Sequence, residues 1–192
     1  MSIYGKYKSG RDASWQAIID YNICSLPIGV ADLANKAKIS IVKNSDANKL
    51  NDTEAAAGVF DGEKWYIIYD DDTLKERIRF SVAHEIGHIF LGHPLSEWRG
   101  SVRTFDEEIP VTERQADVFA SRLLMPACVL WGLRIQSVDE IMNLCQVSRQ
   151  AAEIRLERMK ELYKRDKFLT HPLEQQVYEQ FREFIENNKK GN

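Results

Sequence analysis

The sequence predicts an α+β fold that is mainly helical, with a small antiparallel β-sheet ahead of its central helix and a helical extension at the carboxy end. Three observations lead there. Apolar residues recur at helical spacing along most of the chain. Asp61-Gly62, set between two apolar runs, is the strongest hairpin signal. The run His84-Glu85-Ile86-Gly87-His88 lies in a stretch, residues 74–91, whose apolar positions wrap around more than one side of a helix.

A chain of 192 residues holds one domain, or one with a modest appendage, here divided as 11–130 and 131–186. With 44% hydrophobic and 29% charged residues it has the composition of a globular protein able to bury a core. A net charge of -3 supplies no global attraction to nucleic acid or anionic lipid. Cys24, Cys128 and Cys145 are odd in number and far apart, which argues against a disulfide framework or a cysteine zinc knuckle and for small buried apolar residues. Met1 to Gly10 lacks the apolar stretch of a secretion signal and no run is long enough to span a membrane, so a cytoplasmic protein without membrane association is expected.

In order along the chain, residues 1–10 read as a flexible lead-in. Trp15, Ile18, Ile19 and Asn22 fall at helical spacing, ended by Leu26-Pro27, and Val30, Leu33, Ala34 and Ala37 repeat the pattern. Ile39 to Val42 is a short strand, Asn44 to Thr53 an exposed loop, and Val59-Phe60 with Lys64 to Tyr69 the arms of the hairpin. Thr73 and Glu76 have capping-box spacing at the start of the central helix. Gly87 costs roughly 1 kcal/mol inside a helix, which points to close approach by another backbone or to tight packing without chemistry. Gly92-His93-Pro94 stops this helix. Leu95 to Ile109, with Trp98, Arg99 and Arg103, is a long loop and a candidate gate.

On a helix, His84 and His88 stand one turn apart on one face, where two imidazoles can hold a zinc ion and Glu85 can reach a water on it. The next helix, Pro110 to Met125, gathers Glu113, Ala116, Asp117, Ala120 and Leu124 on one face. Two acids on a small apolar face are costly unless paired or bound to metal. Glu113 can complete a His-His-Glu set with an open fourth position. Asp117 can accept the outer N–H of a ligating histidine. His93 is the rival third ligand, but it follows His88 by five residues where the longer metzincin pattern needs six, so Glu113 is preferred. The other reading of His93 is a helix-end residue capping carbonyls.

The run from Arg79 through His84-Glu85-Ile86-Gly87-His88 to His93 resembles the ImmA/IrrE family of metallo-endopeptidases, as does Glu113-Arg114-Gln115-Ala116-Asp117-Val118-Phe119-Ala120 continuing to Leu123-Leu124-Met125-Pro126. Leu26-Pro27-Ile28, the hairpin and the later helices also fit, so the resemblance covers residues 14–160. It implies a zincin-like domain and a cytosolic bacterial or phage-related peptidase of gluzincin type. It also implies a protein substrate. Some members cleave a helix-turn-helix repressor of a phage or mobile element, and others are tied to stress-responsive transcription.

Ser137 and Glu140 have capping-box form, Gln146-Val147-Ser148 is a turn, and Ala152, Leu156, Met159 and Leu162 line a second helix. The pair matches a helix-turn-helix in outline. Residues 149–167 carry seven Lys/Arg against four Asp/Glu, a weak surplus, so packing or partner binding is preferred over direct DNA contact. A last helix spans Pro172 to Glu186, followed by a disordered tail from Asn187.

The expected chemistry is zinc-assisted peptide hydrolysis. His84, His88 and Glu113 hold the metal, Glu85 is the general base, Asp117 orients a histidine, and Tyr66, His93 or Arg103 contacts the oxyanion or substrate. The alternative is a non-proteolytic zinc-containing regulatory protein that binds a repressor or DNA.

Overall fold

The computed structural model describes residues 8–93 and 110–189. The fold is of the predicted α+β class, mainly helical with one three-stranded sheet. The chain forms two compact units, one from Met1–Ala13 and Gly29–Ala120, the other from Ser14–Ile28 and Ser121–Asn192.

Helix α1 (Lys8–Asp20) divides between the two units after Ala13 and takes in Lys8 to Gly10 of the expected lead-in. In the first unit Gly10 lies so close to Gln115 that an added Cβ would come 2.4 Å from the Gln115 carbonyl oxygen. Helix α2 (Val30–Lys36) buries Val30, Leu33 and Ala34. Strand β1 (Ile39–Lys43) leads into a single turn, α3 (Asn44–Ala47), where a loop was expected. The Asn44 side chain accepts from the Lys49 and Leu50 N–H groups at 2.9 Å each, which ties that turn down.

Strands β2 (Ala56–Phe60) and β3 (Trp65–Tyr69) pair antiparallel, Phe60 opposite Trp65 and Gly58 opposite Ile67. The turn centres on Gly62-Glu63, one residue later than read from the sequence. Asp61 is its first residue, accepting from the Glu63 and Lys64 N–H groups at 2.9 Å each, and Gly62 has φ +99°. The sheet order is β1-β3-β2, with β1 parallel to β3, so the sheet is mixed rather than wholly antiparallel. The cause is topological: β2 runs back at the far edge, and β3 returns between the two in the direction of β1. Backbone bonds from Asp70 N–H to Ala55 O (3.0 Å) and Asp61 N–H to Lys64 O (3.2 Å) fix the phase of the antiparallel ladder. The N–H groups of Ala56, Gly58 and Phe60 therefore point away from β3, toward the open edge.

Helix α4 (Lys75–Leu91) packs against β2 and β3 and carries the motif. It begins one residue later than predicted. Leu74 is its N-cap and no side chain caps it, because Thr73 now lies outside the helix and Glu76 at its second position. Val82, Ala83, Ile86, Gly87 and His88 are buried, as the wrapped apolar pattern requires. Gly92 ends the helix in the left-handed region (φ +65°), and the His93 N–H bonds back to the His88 carbonyl at 3.1 Å. Helix α5 (Val111–Leu124), which belongs to the first unit through Ala120, lies across residues 110–125 as expected. Its Ala116, Phe119 and Ala120 are fully buried. The close approach at Gly87 is a side chain, not a backbone: an added Cβ would lie 2.9 Å from Phe119 Cδ1.

In the second unit, α6 (Ala127–Gly132) follows Pro126, and α7 (Val138–Cys145) opens on the expected capping box. Ser137 Oγ accepts from the Glu140 N–H, and Glu140 Oε2 accepts from the Ser137 N–H at 2.9 Å. Gln146 turns at φ 52°, and Ser148 caps α8 (Arg149–Lys164). Arg155 is buried on α8, its guanidinium donating to the Met125 carbonyl. The predicted last helix is two, α9 (Pro172–Gln180) and α10 (Arg182–Asn188), broken at the buried Phe181, and helix persists through Asn187 and Asn188. Cys128 and Cys145 are buried as expected, whereas Cys24 is exposed. Among the described residues, no helix is long and apolar enough to cross a membrane.

Candidate metal centre

The i,i+4 spacing of α4 brings His84 and His88 onto one face, with Nε2 atoms 3.0 Å apart. Helix α5 supplies Glu113 opposite them. Its Oε2 lies 3.3 Å from His84 Nε2 and its Oε1 3.3 Å from His88 Nε2. One ligand atom from each of the three residues falls within 4.8 Å of the others. Two imidazole nitrogens and one carboxylate oxygen converging at this scale fit a single transition-metal ion. One turn on from Glu113, Asp117 Oδ1 lies 2.9 Å from His84 Nδ1, the ring nitrogen that faces away from the cluster.

The electrostatics agree. Burial alone would lower the His84 pKa, but its hydrogen bonds to Asp117 and Glu113 outweigh that and raise it to about 9. Burial and the neighbouring His84 hold His88 down to about 4. Two imidazolium rings cannot face each other at this distance, so the acids draw positive charge in while one ring stays neutral. Glu85 is pushed up to about 7 by burial, against the opposing pull of His84 and of a backbone hydrogen bond. That bond comes from the outward-facing Gly58 N–H, 2.8 Å from Glu85 Oε2.

The five residues expected to form the centre, His84, Glu85, His88, Glu113 and Asp117, are thus gathered by α4 and α5. His93 is near but lies behind His88. Its Nδ1 is 3.1 Å from His88 Nδ1, and its Nε2 is 3.0 Å from Gln115 Oε1. Tyr66 is engaged at the hairpin, where its side chain hydrogen-bonds Asp61 and Lys64 Nζ sits 4.7 Å above its ring. Arg103 and the candidate gate Leu95–Ile109 lie outside the described residues.

Sequence reasoning missed two contributors. Gly58 left a signal, since a glycine inside a strand marks close approach by another group. Gln115 left none, because its role depends on where the chain goes after Gly92.

No curated protein matches this chain. A family model does: Peptidase_M78, the IrrE N-terminal-like domain, matches residues 34–157. That span runs from α2 through the sheet and both site helices into α8. It contains His84, His88 and Glu113 and agrees with the resemblance carried by the two motifs. The chain therefore belongs to the IrrE N-terminal-like family of metallopeptidases.

Proposed function

We propose that this protein is a cytoplasmic, zinc-dependent endopeptidase that hydrolyses a peptide bond in a regulatory protein. The observation that carries the reading is the convergence of His84, His88 and Glu113, with Glu85 on the same helix. Zinc is the metal that a catalytic set of two histidines and one glutamate most often takes. His84 Nε2, His88 Nε2 and Glu113 would hold it. When bound, zinc supplies a Lewis acid that acidifies water and polarises a carbonyl.

The remaining work falls to the chain. Glu85 takes the proton of the attacking water and passes it to the leaving amine. The Gly58 N–H holds one Glu85 oxygen, leaving the other to face the reacting groups. Asp117 accepts the His84 Nδ1–H and so turns the Nε2 lone pair toward the cluster. The metallopeptidase domain is assigned to residues 11–130 and the helical extension to 131–186.

The substrate class follows the ImmA/IrrE resemblance: a helix-turn-helix transcriptional repressor of a phage or mobile element. A second reading, a non-proteolytic regulator that binds a repressor or DNA, draws on the α7–turn–α8 pair. The charges of α8 weigh against DNA contact, since Lys160 and Lys164 are paired with Glu157 and Glu161.

Comparing protein N-termini by mass spectrometry, in cells expressing wild type or Glu85→Gln, tests both. The expected result is a new N-terminus on a repressor, seen only with wild type. Absence of any Glu85-dependent cut, under stress as well as rest, together with salt-dependent DNA affinity, would transfer the assignment to the second reading.

A further inference from the structure

The same metal-centre reading leaves one arrangement unexplained, the placement of His93 behind His88. We infer that His93, held by Gln115, is a positioning residue that fixes the tautomer of His88 and so presents its Nε2 lone pair to the metal. The proposal rests on the zinc site described above and concerns how that site is kept in order.

Hydrogen-bond direction carries it. Gln115 Oε1 is an acceptor only, so at 3.0 Å it takes the proton on His93 Nε2. A neutral imidazole protonated at Nε2 has a lone pair on Nδ1. His93 Nδ1 is then the acceptor in its 3.1 Å contact with His88 Nδ1, and His88 must donate. With its proton on Nδ1, His88 has an unprotonated Nε2, the atom that faces His84 and Glu113. Both bonds point the same way, from His88 outward to Gln115.

The backbone explains how His93 gets there. The left-handed turn at Gly92 and the bond from His93 N–H to His88 O fold the residue back over the last helical turn. The two rings meet edge to face, 75° apart with centroids 5.0 Å from each other. This position also removes His93 as a rival ligand, because it engages the ring nitrogen of His88 opposite to the one in the cluster.

Helix α5 therefore serves both histidines. Glu113 is the third ligand, Asp117 anchors His84 directly, and Gln115 anchors His88 through His93. The two anchors differ in kind. A carboxylate raises the basicity of its histidine, whereas a neutral imidazole fixes orientation with little added charge.

The test uses the full chain and zinc alone, with affinity measured by competition against a chromophoric chelator. His93→Leu removes the acceptor and is expected to weaken zinc about 10- to 100-fold. His93→Asn can place an amide oxygen where Nδ1 stood, and is expected to recover most of that loss. Gln115→Leu leaves His93 in place but frees its tautomer, so a smaller loss in the same direction is expected, and it serves if His93→Leu does not fold. Long-range nitrogen-15 NMR of the zinc-loaded wild type should show His88 protonated at Nδ1 and metal-bound through Nε2. Wild-type affinity in both His93→Leu and Gln115→Leu, or a His88 metal-bound through Nδ1, would overturn the proposal alone. A wild type that binds no zinc would overturn the metal-centre reading and this proposal with it.

Discussion

A single missing carbon at residue 87 lets two helices meet. Gly87 faces the fully buried Phe119, and a Cβ would lie within 3.1 Å of three atoms of that side chain. An alanine would favour the helix by roughly 1 kcal/mol, but overpacking a filled core typically costs about 1–3 kcal/mol. Phe119 has no exposed side on which to yield, so Gly87→Ala is expected to lower stability in chemical denaturation. Adding Phe119→Leu should restore part of it. At the centre itself, Glu85→Gln should keep zinc and abolish cleavage, while Glu113→Ala should weaken metal binding; metal analysis beside a cleavage assay separates the two. Fixed helical spacing made these residues legible in the sequence, since i,i+4 pairs on two helices need little else to converge. His93 was not legible in the same way. Its role depends on a left-handed turn at Gly92 and on an amide across the fold, and neither has a periodicity.

Among the elements, local capping chemistry came out as read at α7 and α8 but not at α4, where Thr73 and Glu76 form no capping box. Ser137 with Glu140 forms its capping box, and Ser148 caps α8. Ser137→Ala is expected to cost about 1 kcal/mol in thermal or chemical unfolding. Where a packing partner decides an element's limits, the reading slipped. Helix α1 takes in Lys8 to Gly10, and Gly10 lies against the Gln115 carbonyl, a contact between segments more than a hundred residues apart. Gly10→Ala should therefore disturb α5 at Gln115 and destabilise the fold by about 1–3 kcal/mol. Nuclear magnetic resonance shifts of Gln115 and its neighbours would show whether the disturbance starts there. Likewise the last predicted helix divides at the buried Phe181, whose backbone leaves the helical region at φ -90°, ψ 3°.

At the scale of the whole molecule, the α+β class was legible but the strand order was not. Alternation identifies strands and a turn identifies a hairpin; nothing local says that β3 will return between β2 and β1. The three candidate ligands come from two successive helices, α4 and α5, so a bound ion should stabilise the folded chain. Chelation is expected to lower the melting temperature, with zinc restoring it. The stabilisation is about 2.7 kcal/mol when free metal is a hundredfold above its dissociation constant. A melting temperature indifferent to both would show that the ligands hold no ion in the folded chain. One consequence reaches past the chemistry. An uninterrupted row of edge amides invites a second chain to add itself to the sheet. Here the middle amide of β2, at Gly58, is already held by the Glu85 carboxylate. The carboxylate proposed as general base would thereby also guard the protein against zippering onto its own copies. Glu85→Ala should self-associate at concentrations where Glu85→Gln, which keeps an acceptor for that amide, stays dispersed.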